Sequence, residues 1–266
     1  MVNVQFVALP ALAAAVASAS SSPLVGGSGI VVAYSARDVR FCNGPLTLAL
    51  RPGPPRCGSA IRVRGVDLSR LTDRASRRGA TWGRAYLAGT FSGGTLTVVR
   101  QAPPKPAPRT GPALRDPPCA APRGGWARGK PSASRALDAY RARFPGDVVS
   151  AATFRPAPHV AVLTIASTEP ARTRAILGRP YRGRLCVVRS RYRATVVRRT
   201  TASLTALLRR SRSRYEMTGV GLTVSSQGQP RVIVEALLET PALRRVVASE
   251  PADLVEIVPW LRAVRS

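Results

Sequence analysis

The chain has 266 residues, 45% of them hydrophobic, and its 41 lysines and arginines face only 13 acids, for a net charge of +28. That length and apolar content exclude a wholly disordered chain and allow one large domain or two ordinary ones. Every basic residue except Lys105 and Lys130 is an arginine, so the field attracts nucleic acid, acidic lipid or anionic wall polymers, although the same skew also follows from GC-rich coding of a solvated surface.

The chain opens on an apolar run from Val2 to Val16, followed by small residues that include an Ala17-Ser18-Ala19 site. The run is too short for an ordinary membrane span and has the form of a signal peptide, though no Lys or Arg precedes Arg37. Residues 1–28 are read as a signal peptide or disordered leader, with Gly26-Gly27-Ser28-Gly29 as a flexible segment.

Residues 29–101 hold short β-rich runs: GIVVAYS, LTLAL, AIRVRGVDL, WGRAYLAGTF and GTLTVVR. Ala60-Ile61-Arg62-Val63-Arg64 alternates with period two, as a half-buried strand does. Gly93-Gly94 marks a hairpin, and Arg74, Arg77 and Arg78 fall in a loop. A small all-β module is expected, a barrel or sandwich with an OB-like barrel as one candidate. Residues 102–125 are too rich in proline for ladders or helix interiors and read as an extended linker.

From 126 to 266 the period changes. Helices are predicted over Ser132–Phe144, Glu169–Leu177 (stopped by Gly178), Thr200–Arg212 with Leu204, Leu207 and Leu208 on one face, and Thr240–Ala248. Strands are predicted at His159–Ser167, at Arg184–Tyr192, on both sides of the Gln227-Gly228-Gln229 turn, and at the C-terminus. The order β-α-β-α-β-β-α-β is that of a ferredoxin-like α/β sandwich with one added helix. The fold class is therefore α+β.

Cys42, Cys57, Cys119 and Cys186 are even in number and read as two disulfides, for which three connectivities exist. Module boundaries favour Cys42–Cys57 and Cys119–Cys186. No CxxC spacing occurs and His159 is the only histidine, so neither a metal site nor another cofactor is expected. The GxSxG, HExxH, P-loop and GxGxxG patterns are missing and the acids are scattered. No catalytic residue is assigned and a non-enzymatic protein is expected.

The densest basic stretch comprises Arg189, Arg191, Tyr192, Arg193, Arg198, Arg199, Arg209, Arg210, Arg212, Arg214 and Tyr215. Guanidinium groups interleaved with tyrosines suit backbone neutralisation and base stacking, but no known nucleic-acid motif frames them.

The segments CNGPL, PPRCG, VRGVDL and GATWGRAYLAGTFSGGTLTVV, with the later PPCAAPRGGW, YRGRLCVVR and VEIVPWLRAV, resemble a family of exported two-module actinobacterial proteins of unknown function. The resemblance implies a secreted or envelope location and supplies no activity. The expected function is binding or structural, at the cell envelope, with anionic envelope polymers as partners. The alternative is nucleic-acid or polyanion binding through the arginine clusters.

Overall fold

The computed structural model describes residues 23–43, 60–105, 116–129 and 134–264. The expected LTLAL strand, most of the leader and Cys57 lie outside these residues. The fold is α+β, with more strand than helix.

The N-terminal half contains β1 (Leu24–Ala33), β2 (Val39–Cys42), β3 (Ala60–Arg64), β4 (Thr72–Arg77), β5 (Ala80–Ser92) and β6 (Thr95–Ala102). Strand β1 pairs antiparallel with β2, β2 antiparallel with β3, and β3 parallel with β6; β6 and β5 are antiparallel, and β5 returns antiparallel to β1. The ring β1-β2-β3-β6-β5-β1 is closed, which removes the exposed sheet edges. The alternation in β3 sends Ile61 and Val63 into a core with Val31, Phe41, Leu87 and Leu96, leaving Ala60, Arg62 and Arg64 outside. Gly93 and Gly94, both with positive φ, close a two-residue turn with Ser92 opposite Thr95.

Two expectations here are corrected. The Gly26–Gly29 segment, read as flexible, lies inside β1. A Cβ on Gly27 would lie 3.0 Å from the Trp260 carbonyl oxygen and one on Gly29 2.6 Å from that of Cys42, so these glycines serve close backbone approach. The arginine loop around Arg74 and Arg77 is strand β4, joined to β5 by a turn at Arg78-Gly79.

The second half runs α1 (Ser134–Arg143), β7 (Val148–Ala157), β8 (Val160–Ser167), α2 (Pro170–Leu177), β9 (Leu185–Arg189), α3 (Ala194–Tyr215), β10 (Met217–Val224), β11 (Pro230–Ala236), α4 (Pro241–Val247) and β12 (Val255–Pro259). These strands do not form the single sheet that a ferredoxin-like sandwich requires. They form two three-stranded sheets, β7-β8-β9 and β10-β11-β12, each with an antiparallel hairpin and then a parallel strand reached through a helix. The unforeseen element is β7. His159, expected to start a strand, instead occupies the β7–β8 turn with φ 61°.

The unit α-β-β-α-β thus occurs twice, and matched backbone hydrogen bonds make the two copies an internal structural repeat. Leu163 N donates to Arg184 O (2.9 Å) as Val232 N does to Leu254 O (2.7 Å). Thr168 N donates to Asp147 O (2.9 Å) as Leu237 N does to Glu216 O (2.7 Å). Ser190 N donates to Ser167 O as Trp260 N does to Ala236 O, both at 2.8 Å. In the second copy α3 buries Ala194, Val197 and Leu204 against Val232 and Val234 of β11, with Leu207 and Leu208 half-buried beside them.

The halves touch directly. After β12, Leu261 enters the barrel core, Trp260 packs against it, and β13 (Arg262–Ala263) pairs with β1. The Trp260 ring lies 4.8 Å from that of Phe41, and its Nε1 donates to Ser28 O at 3.1 Å. Residues 260–263, expected in the C-terminal module, therefore belong to the barrel sheet and core. The end of the proline-rich segment is also anchored. Cys119 is disulfide-bonded to Cys186 of β9 with Cα atoms 5.7 Å apart, and Trp126 packs beside them. Cys42 is also a half-cystine.

Candidate polyanion-binding cleft

A cleft of about 590 Å³ opens where the barrel meets the end of α3. Its barrel wall is Ala60 and Ile61 of β3 with Gly94 of the β5–β6 turn, and Met217, Leu237 and Trp260 also line it. The opposite wall carries Arg209, Arg210, Arg212 and Ser213. Helix α3 brings these arginines there because Ala194, Val197, Thr200 and Leu204 face the core while Arg209 and Arg210 stay exposed. At Ser211 the backbone leaves helical geometry (φ −141°, ψ 32°), and the short turn beyond it carries Arg212 to the cleft.

Arg209 and Arg210 also line a shallow groove of about 680 Å³ along α3, which passes Thr205, Ala206, Thr201 and Ala202 to reach Arg198. The two concavities form one arginine-lined path. On the barrel side, Arg62 and Arg64 continue outward from Ala60 along β3, and Arg40 of β2 stands directly opposite Arg62. Like charges in direct cross-strand register destabilise a sheet. Here Asp38 binds Arg40, so only part of that repulsion is neutralised.

The structure splits the arginine stretch expected from sequence. Arg198, Arg209, Arg210 and Arg212 line the path. Arg199 is an exposed α3 residue that lines neither concavity, Arg193 is the N-cap of the helix, and Arg214 is exposed in its last turn. Arg189 ends β9 and donates to Thr168 O, and the Arg191 amide, in the β9–α3 connection, donates to Gln229 Oε1. Tyr192 is half-buried and packs against the second-copy core. Tyr215 ends α3, and its side chain lies outside the described part.

Two cleft residues carried no sequence signal. Glu216 caps α3 in the left-handed conformation (φ 51°) and lines the cleft, and burial raises its carboxyl above the ordinary glutamate range. Thr218, also a lining residue, keeps a buried hydroxyl that has no hydrogen-bond partner among the described residues.

The repeat shows what is unusual about Glu216. Its counterpart Asp147 receives two hydrogen bonds from Arg172, both 2.8 Å, and one from Tyr140 Oη at 2.6 Å. Arg172 and Tyr140 hold the Asp147 carboxyl below its usual range. Arg172 is an exposed residue of α2 beside the buried Thr173; α4 buries Leu243, and among the described residues none of its side chains is bonded to Glu216. The second copy has an acid at this position and, among the described residues, no arginine bonded to it.

Other acids are also paired: Asp138 with Arg141 and Glu239 with Arg244. Among the described residues the cleft lining thus brings three arginines and one carboxylate, that of Glu216, to the same space. Compared with protein-family models, curated proteins and solved structures, the chain gives no significant match.

Proposed function

We propose that the chain is an exported, non-enzymatic binding protein that holds a linear phosphate-bearing polymer of the cell envelope in the cleft. The single observation that carries this reading is the line of Arg209, Arg210 and Arg212 facing β3 and the β5–β6 turn across about 590 Å³.

The connectivity of the barrel supports an OB-like reading. Its third and last strands run parallel and its fourth closes on its first. In such barrels the face of the second and third strands and the loop between the last two bind oligonucleotides and oligosaccharides. The equivalents here are β2, β3 and the Gly93-Gly94 turn, of which Ala60 and Ile61 of β3 and Gly94 line the cleft. The disulfide, the leader and the resemblance to exported proteins favour an oxidising compartment. Nucleic acid is the second reading, and it has less support because Tyr192 packs half-buried against the second-copy core, where base stacking uses an exposed aromatic face.

The test is competition binding by a glycerol-phosphate oligomer and a single-stranded oligonucleotide at two salt concentrations. Each phosphate contact contributes about 0.7 to the slope of log affinity against log salt for a flexible strand. The triple variant Arg209→Ala, Arg210→Ala, Arg212→Ala should lower that slope by about 2. A triple variant that binds like the unaltered protein, or no binding at low salt, overturns the proposal. A clear preference for the oligonucleotide transfers it to nucleic acid.

A further inference from the structure

We propose that Glu216 is the specificity-determining residue of the cleft, selecting anionic polymers that carry hydroxyl groups and rejecting bare polyanions. The inference rests on the cleft reading above and names what the cleft discriminates.

Three features single out Glu216. It lines the cleft that Arg209, Arg210 and Arg212 line. Its carboxylate has no ion pair or hydrogen bond among the described residues, although arginines are abundant. Its backbone is fixed at both ends of the peptide unit: its N–H donates to Arg212 O and its carbonyl accepts from Leu237 N at 2.7 Å. The acid is therefore rigidly mounted at a left-handed position.

The comparison between copies turns this into a functional argument. A structural acid at this place would need the partner that Asp147 has. In the second copy α4 turns Leu243 into the core, and among the described residues none of its side chains bonds Glu216. A half-buried carboxylate left without a partner costs stability, and a ligand that donates hydrogen bonds to it recovers the loss.

A polyol-phosphate chain supplies both halves of the match. Its phosphodiesters face the arginines and its hydroxyls donate to Glu216. Inorganic polyphosphate has the anions and no such donors, so Glu216 only repels it. Specificity obtained by disfavouring the wrong partner is a general device.

The experiment measures dissociation constants for a glycerol-phosphate oligomer and for inorganic polyphosphate of matched charge, at pH 7.5 and low salt. The unaltered protein should prefer the glycerol-phosphate chain. In Glu216→Ala the ratio of the two affinities should shift roughly tenfold toward polyphosphate, the size of one hydrogen bond to a charged group. Glu216→Gln, which keeps the shape, should bind polyphosphate several-fold more tightly. If both polymers bind and both variants leave the ratio unchanged, the selectivity proposal is wrong while the cleft stands. If neither polymer binds the unaltered protein, the cleft reading fails and this inference with it.

Discussion

Asp147 shows how one side chain organises the first copy. It joins α2 through Arg172 and α1 through Tyr140 Oη, which also lies 3.0 Å from Thr173 Oγ1. Ser167 and Thr173, 2.8 Å apart, extend this network into β8. The folded state holds the Asp147 carboxyl below its ordinary value of 3.8. A depressed carboxyl contributes stability at pH values above that of the unfolded group and loses it as pH falls through the folded value. Asp147→Asn should therefore destabilise by about 1–2 kcal/mol at neutral pH, the low end for charged hydrogen bonds because water screens the half-exposed Arg172. Urea melts should show that gap constant from about pH 7 to 5 and closing below about pH 4. A gap that widens on acidification would contradict the assignment. Glu216 follows the opposite sign, since burial raises its carboxyl.

At the scale of elements, the strongest local signals were legible. Gly93-Gly94 marks the β5–β6 turn because only glycine accepts positive φ without strain at both places. Pro170 and Pro241 open helices where their missing N–H groups cost nothing, and Thr240 Oγ1 caps α4 by accepting from Leu243 N at 3.1 Å. Strand β4 was not legible, because TDRASR is almost wholly exposed and owes its form to pairing with β5. The repeat was hidden because the copies share hydrogen-bond geometry more than sequence, and α1 spans 10 residues where α3 spans 22. The arginine wall of the cleft could be read from its cluster. The facing wall could not, because β3 and Gly94 lie far away in the chain. The pairing Cys119–Cys186, favoured by the module boundaries in the sequence, encloses a sequence separation of 67 residues. A loop of that length corresponds to roughly 4 kcal/mol of cross-link stabilisation. Denaturant melts of Cys119→Ala should lose a large part of it, and an unchanged midpoint would show that the bond carries no stability.

The whole molecule is two units held by more than a linker. Leu261 enters the barrel core, Trp260 packs against it with its indole N–H donating to Ser28 O, and β13 adds to β1. The cleft exists only while this docking holds, because Trp260 itself lines it. None of the helices among the described residues is long and apolar enough to cross a membrane. A net charge of +28 gives the surface a general pull on anions, and general attraction alone would spread contacts over every arginine face. The account places them instead on both walls of one cleft. Hydrogen exchange with and without a glycerol-phosphate oligomer tests this most directly. Amides of Ala60–Arg64 in β3, the Gly93-Gly94 turn and residues 212–218 should gain protection together, while β4 and its exposed arginines stay unchanged. Protection spread evenly over the arginine-bearing surfaces, or confined to one wall, would contradict a cleft built for a polyanion.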